Sequence, residues 1–261
     1  NRTVAMKDNM LNDIDRTKKY ALAVSGGADS MVMLHCFASL LPRPDFFVVT
    51  INHGIRQEAA ADCAFVQEYC KKLNVECRVF CVDAPAYSKE NKISLETAAR
   101  ILRYKVLDEQ QCDLVCLAHH SGDNAETILM HLIRGSGAEG ACGIRKLSGK
   151  YFRPLLSVTK RQIEDYAKAN DVPFVQDSTN DDVTYRRNYV RHVILPELKK
   201  IVPAVEQNLE RFAQNVAADN ELLNSLADDK DVTIDGKTAK IPCELLNQPA
   251  PLAYRILKKT F

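Results

Sequence analysis

Four short, largely apolar runs constrain this chain more than any other feature. They are residues 20–24 (YALAV), 46–52 (FFVVTIN), 77–82 (CRVFCV) and 114–118 (LVCLA). Helical spacing follows each of them. Met31, Leu34 and Leu41, with Phe37 or Ala38, form a stripe after the first run, and Ala59 to Leu73 reads as a helix after the second. After the third, Ser94 is an N-cap for a helix striped by Leu95, Ala98, Leu102 and Val106. Residues 125–134 form the helix after the fourth. Strands apolar on both faces need cover on both faces, and strands that alternate with helices are joined in parallel. The expected class is α/β, a doubly wound, Rossmann-like parallel sheet.

The pattern changes after about residue 150. A short strand and a helix are expected within 153–171. A long helix runs from Pro203 to Ala227, a β-hairpin turns at Asp235-Gly236, and Leu245 to Lys259 reads as helix. Residues 1–19 read as a leading helix or arm. The expected division is 1–204 for the α/β domain and 205–261 for a helical linker with the start of a small, incomplete C-terminal domain.

Composition excludes little. Thirty-five basic and 34 acidic residues give a net charge of +1, which argues neither for nor against nucleic acid. No apolar run is long enough to span a bilayer, and no secretory signal is visible. Nine cysteines, an odd number with no C-x-x-C spacing, read as reduced thiols of a cytoplasmic protein. Cys36, Cys70, Cys81, Cys116 and Cys142 stand in apolar segments and are expected to be mostly buried.

The stretch from Ser25 to Ser30, S-G-G-A-D-S, lies between the first strand and the first helix. Ligands of open parallel sheets bind beyond the carboxyl ends of the strands. Gly26 and Gly27 let backbone N–H groups approach a ligand, and the helix start adds unpaired donors. Neither G-x-x-x-x-G-K-[ST] nor G-x-G-x-x-G is present. The loop carries an acid, Asp29, and no lysine. The bland alternative is a tight turn in which Asp29 favours the helix dipole.

The loop resembles the PP-loop of the N-type ATP pyrophosphatases. Four further stretches resemble the tRNA(Ile)-lysidine synthetases of that superfamily, in the same order from about Tyr20 to Leu198. They are NHGIR (52–56), AARILRYKVL (98–107), HHSGDNAETILMHLIRGSGAEG (119–140) and the block from Arg153 to Leu198 with DSTN and RRNYVR. The resemblance implies that ATP adenylates the C2 oxygen of the wobble cytidine of tRNA(Ile) with a CAU anticodon. Free L-lysine then attacks C2, releasing AMP and leaving lysidine. It implies Mg2+ at Asp29, which explains an acid among phosphates. It also implies a cytoplasmic enzyme with no membrane partner, and a homodimer is among its allowed assemblies.

The site residues follow from that match. Ser25, Gly26, Gly27, Ala28, Asp29 and Ser30 would hold ATP, together with His53 and Arg100; Arg103 lies three residues further along the same helix. Asp123 is the first candidate for lysine binding or general base, with His119 and His120 second, and Asp29, Asp123 and His120 form the catalytic set. Asp123 and Glu126 also fit the N-cap and N3 of a capping box, and Gly135 of RGSG fits a helix C-cap. The family often shows two adjacent acids here; this chain has Gly122 before Asp123. His119, Glu126, Arg186, Arg187, Asn188 and Arg191 would contact substrate, with Tyr185 and Tyr189 interleaved among the arginines for base stacking. The rival readings are a tRNA 2-thiolation enzyme, an amide-forming synthetase and an inactive tRNA-binding relative.

Overall fold

The computed structural model describes residues 13–56, 58–176, 183–227, 232–235 and 238–260. The first half runs β1 (Lys19–Ala23), α1 (Ala28–Ala38), β2 (Asp45–Asn52), α2 (Ala59–Lys72), β3 (Cys77–Cys81), α3 (Ala84–Asn91), α4 (Leu95–Asp108), β4 (Leu114–Cys116) and α5 (Ser121–Ile133). A short α6 (Ala138–Ala141), β5 (Leu147–Ser148), β6 (Tyr151–Phe152) and α7 (Lys160–Ala169) follow. The expected doubly wound sheet is present: six strands in the order β3-β2-β1-β4-β6-β5, parallel except for β5.

Alternation along the strands builds two cores. Tyr20 and Leu22 of β1, with Phe46 and Val48 of β2, face one layer made by α1, α2 and α7. Ala21, Phe47, Val49 and Val115 face the other, closed by Val106 and Leu107 of α4. Successive side chains of a strand point to opposite faces, so one apolar run feeds both layers. Helix α1 buries Met31, Val32, Met33, Leu34, Cys36 and Phe37. A helix apolar nearly all round must be covered nearly all round, and α2 and α7 supply that cover.

Several boundaries differ from expectation. Helix α5 starts at Ser121, four residues early, because His120 caps it. Helix α3 was not anticipated; Asp83 caps it by accepting from the Ala86 N–H. Ser94 caps α4 as expected, but Leu95 is exposed and the buried stripe is Ala98, Val106 and Leu107. All nine cysteines are free, and Cys81 is exposed rather than buried. Gly135, at φ 73°, follows the end of α5.

Beyond residue 182, α8 (Arg186–Tyr189), a π-helical turn (Val190–Ile194) and α9 (Leu195–Ile201) make one continuous helical run. Helix α10 (Val205–Leu226) then packs on α5; Val205 and Leu209 meet the cluster of Ala125, Val190 and Leu195. Strands β7 (Thr233–Asp235) and β8 (Thr238–Lys240) form the expected hairpin, whose turn, with Gly236, lies outside the described residues. The expected final helix is two, α11 (Cys243–Leu246) and α12 (Ala250–Thr260). Pro249 separates them because it has no N–H to continue the first. Among the described residues no helix is long and apolar enough to cross a membrane.

Leu22 is fully buried in the central strand. Leu22→Ala should therefore lower the unfolding free energy by about 2–5 kcal/mol in urea titrations.

Candidate active site

The chain builds the sheet outward from β1 through β2 to β3, then returns to place β4 on the other side of β1. Strand order reverses between β1 and β4, and such a reversal opens a crevice at the carboxyl ends. A crevice of about 220 Å³ lies there, lined by Ser25, Gly27, Asp29 and Ser30 after β1, His53 after β2, Arg103 of α4 and His119 after β4. A second depression, of about 540 Å³, lies along the outer face of α4 at Thr97, Arg100, Ile101 and Tyr104. It is a helix surface away from the strand ends. Arg100 lies there with its guanidinium 5.0 Å from the Tyr104 ring, so Arg103 rather than Arg100 reaches the crevice.

Gly26 has φ 90°, a conformation that L side chains rarely adopt. Its carbonyl accepts from the Val175 N–H at 2.9 Å, which ties the loop to the chain after α7. The Ser30 hydroxyl accepts from the Ser25 N–H and donates to the Gly27 carbonyl. Gly27 is the N-cap of α1 and provides no side-chain cap, unlike Ser94, His120 and Thr159 at other helices. The first-turn amides of α1 are therefore not capped by a side chain and face the crevice, the arrangement that binds phosphate.

Three buried polar atoms of the crevice have no hydrogen-bond partner among the described residues: His53 Nδ1, Arg103 Nε and His119 Nδ1. Buried groups without partners cost free energy, so three around one crevice point to a polar ligand. Burial, then the nearby Arg103, pushes the His53 pKa down. Burial pushes His119 down to about 4; Asp123 opposes that, while Arg153, Arg187 and Arg103 add to it. Both imidazoles are thus neutral near pH 7. Burial also lowers Arg103 from its usual value.

Beside the crevice, the N-terminus of α5 carries a four-charge cluster. The His120 N–H donates to Asp123 Oδ2 at 3.0 Å, and His120 Nδ1 accepts from the Gly122 N–H at 3.0 Å. The expected capping box is present but shifted: His120 is the cap and Asp123 occupies N3. Glu126 has a different role. Its carboxylate accepts from Arg187 Nε at 2.7 Å and from Arg191 Nε at 2.6 Å. Arg191 and Arg187 also reach Asp123 Oδ1, at 3.0 and 3.3 Å. The π-helical turn carries Arg191, and such turns frequently occur at functional sites. Asp29 adds to the field that favours the Arg191 charge, so the cluster and the loop are electrostatic neighbours.

Burial raises the Asp123 pKa, but His120, its N–H, Arg187 and His119 together hold it below the usual carboxylate value. An acid held ionised is a weak base and a good anchor for a cation. Gly122 has a physical reason to lack a side chain. A Cβ there would stand 2.8 Å from Cε1 of the His120 ring.

The expected nucleic-acid face is smaller than its sequence suggests. Arg187 and Arg191 turn inward, while Lys199 pairs with Glu206 and Lys200 with Glu197. Arg186, Tyr185 and Tyr189 are exposed, and Asn188 is half-buried. Asp177 to Asn180 of the DSTN stretch lie outside the described residues. One site residue had not been anticipated: Lys160, whose Nζ lies 2.6 Å from Asp29 Oδ1. Its only sequence signal was a lysine at the start of a capped helix.

A model of the PP-loop domain family matches residues 2–198. The chain is 43% identical over 211 residues to a tRNA(Ile)-lysidine synthase of Thermosipho africanus, covering 78% of this chain and 49% of that protein. It is 33% identical over 266 residues to one of Clostridium perfringens, covering 97% and 56%. The chain thus spans about half the length of the curated relatives it matches. Among solved structures it resembles the U34-tRNA thiolase of Methanococcus maripaludis, with TM-score 0.70, 17% identity and coverage of 97% and 90%. At that identity the likeness shows the fold alone.

Two outcomes follow from the charges. Glu126→Ala leaves two guanidinium groups short of their partner and should cost about 3 kcal/mol of stability, read from denaturant unfolding. His119 is neutral when folded and takes a proton near pH 6.5 when unfolded. The unfolded state therefore binds more protons between those values. His119 favours the folded state above pH 6.5, and that contribution falls away as pH drops toward 4. His119→Asn should flatten the stability–pH curve in that window.

Proposed function

The chain belongs to the PP-loop domain family, and from that premise we propose that it ligates lysine to a tRNA. ATP would adenylate the C2 oxygen of the wobble cytidine of tRNA(Ile) bearing a CAU anticodon. Lysine would then displace AMP to give lysidine. The observation that carries this reading is the pairing of an uncapped glycine loop after β1 with an arginine-bound acid pair, Asp123 and Glu126, after β4. The similarity to tRNA(Ile)-lysidine synthases runs through both.

In the first step the cytidine O2 attacks the α-phosphorus and pyrophosphate leaves. The α1 amides and the Ser25 hydroxyl bind the phosphates, Ser30 braces the loop by donating to the Gly27 carbonyl, and His53 and Arg103 bring donors to the same crevice. Asp29 suits Mg2+. Its carboxylate lines the crevice and would hold such an ion together with phosphate oxygens and water. That is the habit of Mg2+. When bound, the ion neutralises charge on the phosphates.

In the second step the lysine Nε, after giving up a proton to solvent, attacks C2, the C2–O bond breaks and AMP departs. An unperturbed lysine amine has a pKa of about 10.4, so only about one molecule in a few thousand is neutral at pH 7. Asp123, held ionised by its neighbours, serves better as an anchor that orients the incoming ammonium than as the base that deprotonates it. Arg187 and Arg191 occupy the acid pair in this structure, as a substrate ammonium would. Exposed Arg186, Tyr185 and Tyr189 suit contact with phosphate and unpaired bases. Residues 205–261 would serve as a helical linker and contribute to substrate recognition, and the enzyme works in the cytoplasm.

Radiolabelled lysine should enter a CAU-bearing tRNA(Ile) transcript in the presence of Mg-ATP, and Asp29→Ala should abolish the incorporation. ATP cleavage that depends on tRNA, without lysine uptake, would overturn the ligase reading.

A further inference from the structure

Two of the nine cysteines meet where α2 ends and β3 begins. Cys70 stands in the last turn of α2 and is wholly buried; Cys77 is the first residue of β3 and is partly exposed. Successive side chains of a strand point to opposite faces. Arg78 and Phe80 take the side of Phe47, and Cys77 takes the other, against the layer that holds Cys70. The turn between them is pinned at both ends. The Val75 N–H donates to the Cys70 carbonyl at 2.9 Å, and the Val48 N–H of β2 donates to the Glu76 carbonyl at 2.8 Å. Held in this way, the Cys70 thiol donates a hydrogen bond to the Cys77 sulfur.

That contact makes the two sulfurs unequal. A hydrogen bond to the charged form of a group favours that form. The bond from Cys70 holds the Cys77 thiol below the usual cysteine range, while Cys70 itself is held well above it. Burial instead pushes Cys63, Cys112, Cys116 and Cys142 up. The thiolate is the nucleophile of cysteine chemistry. Cys77 has both thiolate character and access to solvent; Cys70 has neither, but touches Cys77. A reactive thiol beside a sheltered resolving thiol is the arrangement of a redox-sensitive pair. The pair stands apart from the crevice, because β3 begins at Cys77 and the crevice lies at the other end of the parallel strands.

We propose that Cys77 and Cys70 form a reversible dithiol that reacts with hydroperoxides. The Cys77 thiolate attacks one oxygen of the peroxide and the O–O bond breaks. The departing oxygen takes a proton and leaves as water or an alcohol, and Cys77 becomes a sulfenic acid. The Cys70 sulfur then attacks the Cys77 sulfur and gives up its proton, and the S–O bond breaks to release water. The thiols lose a pair of electrons to become a disulfide, and the peroxide is reduced. Closure spares Cys77 from irreversible oxidation to the sulfinic acid, and a thiol reductant reopens the bond.

The test exposes the reduced full chain to equimolar hydrogen peroxide, alkylates the remaining thiols and maps tryptic peptides without reductant. Trypsin cuts after Lys71 and Lys72, so the Cys70 and Cys77 peptides separate unless a disulfide joins them. Fragmentation distinguishes Cys70 from Cys63, which shares its peptide. The parent should yield the Cys70–Cys77 pair, lost on treatment with dithiothreitol. Its Cys77 should react several-fold faster than the exposed Cys81 and Cys243 near pH 7. In Cys70→Ala, checked for folding by thermal melting, dimedone should trap a sulfenic acid at Cys77. If that variant does not fold, the parent's disulfide map and thiol rates decide alone. A disulfide to another cysteine, no disulfide, or a Cys77 that reacts no faster than Cys81 would overturn the assignment.

Discussion

Everything at the candidate site depends on β1 being buried between β2 and β4. Tyr20, Ala21 and Leu22 have no exposed surface. Their register with Phe46, Phe47 and Val48 on one side and Leu114, Val115 and Cys116 on the other fixes where both neighbouring strands end. Those ends launch the glycine loop, the His53 turn and the His119-His120 turn from one edge. Because strand order reverses beside β1, no helix closes that edge, and the polar groups carried there meet around a crevice.

Charge then divides the site in two. On the β1 side, Asp29 is the loop's carboxylate, and the neighbouring imidazoles of His53 and His119 are kept neutral by burial. On the β4 side, Asp123 and Glu126 are matched by two arginines. A buried ion cluster stabilises less than its contacts suggest, since desolvation offsets most of the attraction. Its effect is geometric: Arg187 and Arg191 bring the helical run after residue 185 onto the start of α5. The same run adds Val190 and Leu195 to the apolar contact with Ala125. The helical run and the acid pair are therefore held side by side.

The first four strands were legible because each comes from a largely apolar run; β5 and β6, two residues each, carry too little pattern, and β6 lies at Tyr151–Phe152, just before the stretch where a short strand was expected. Ser94 was legible as a cap because its hydroxyl is a common capping group. The start of α5 was misplaced because histidine is not a usual cap; only the structure shows its Nδ1 accepting from Gly122 N–H. The inward turn of Arg187 and Arg191 was not legible either. Their partners lie 61 to 68 residues earlier, and a basic-aromatic run reads as a nucleic-acid face until its carboxylates are found. Arg100 and Arg103 stand three apart on one helix, and only the packing of α4 shows which one faces the crevice. Lys160 had no local signature, because its partner is reached across the fold.

The proposed function places activation at the β1 loop and amine capture at the β4 acid pair, as separable half-reactions. The direct measurement follows the α-phosphate label of ATP onto tRNA in the absence of lysine, using Asp29→Asn and Asp123→Asn. Labelled tRNA is expected with Asp123→Asn, which then fails to accept lysine, and none with Asp29→Asn. Equal loss of label in both variants, or a parent enzyme that never labels tRNA, would contradict it.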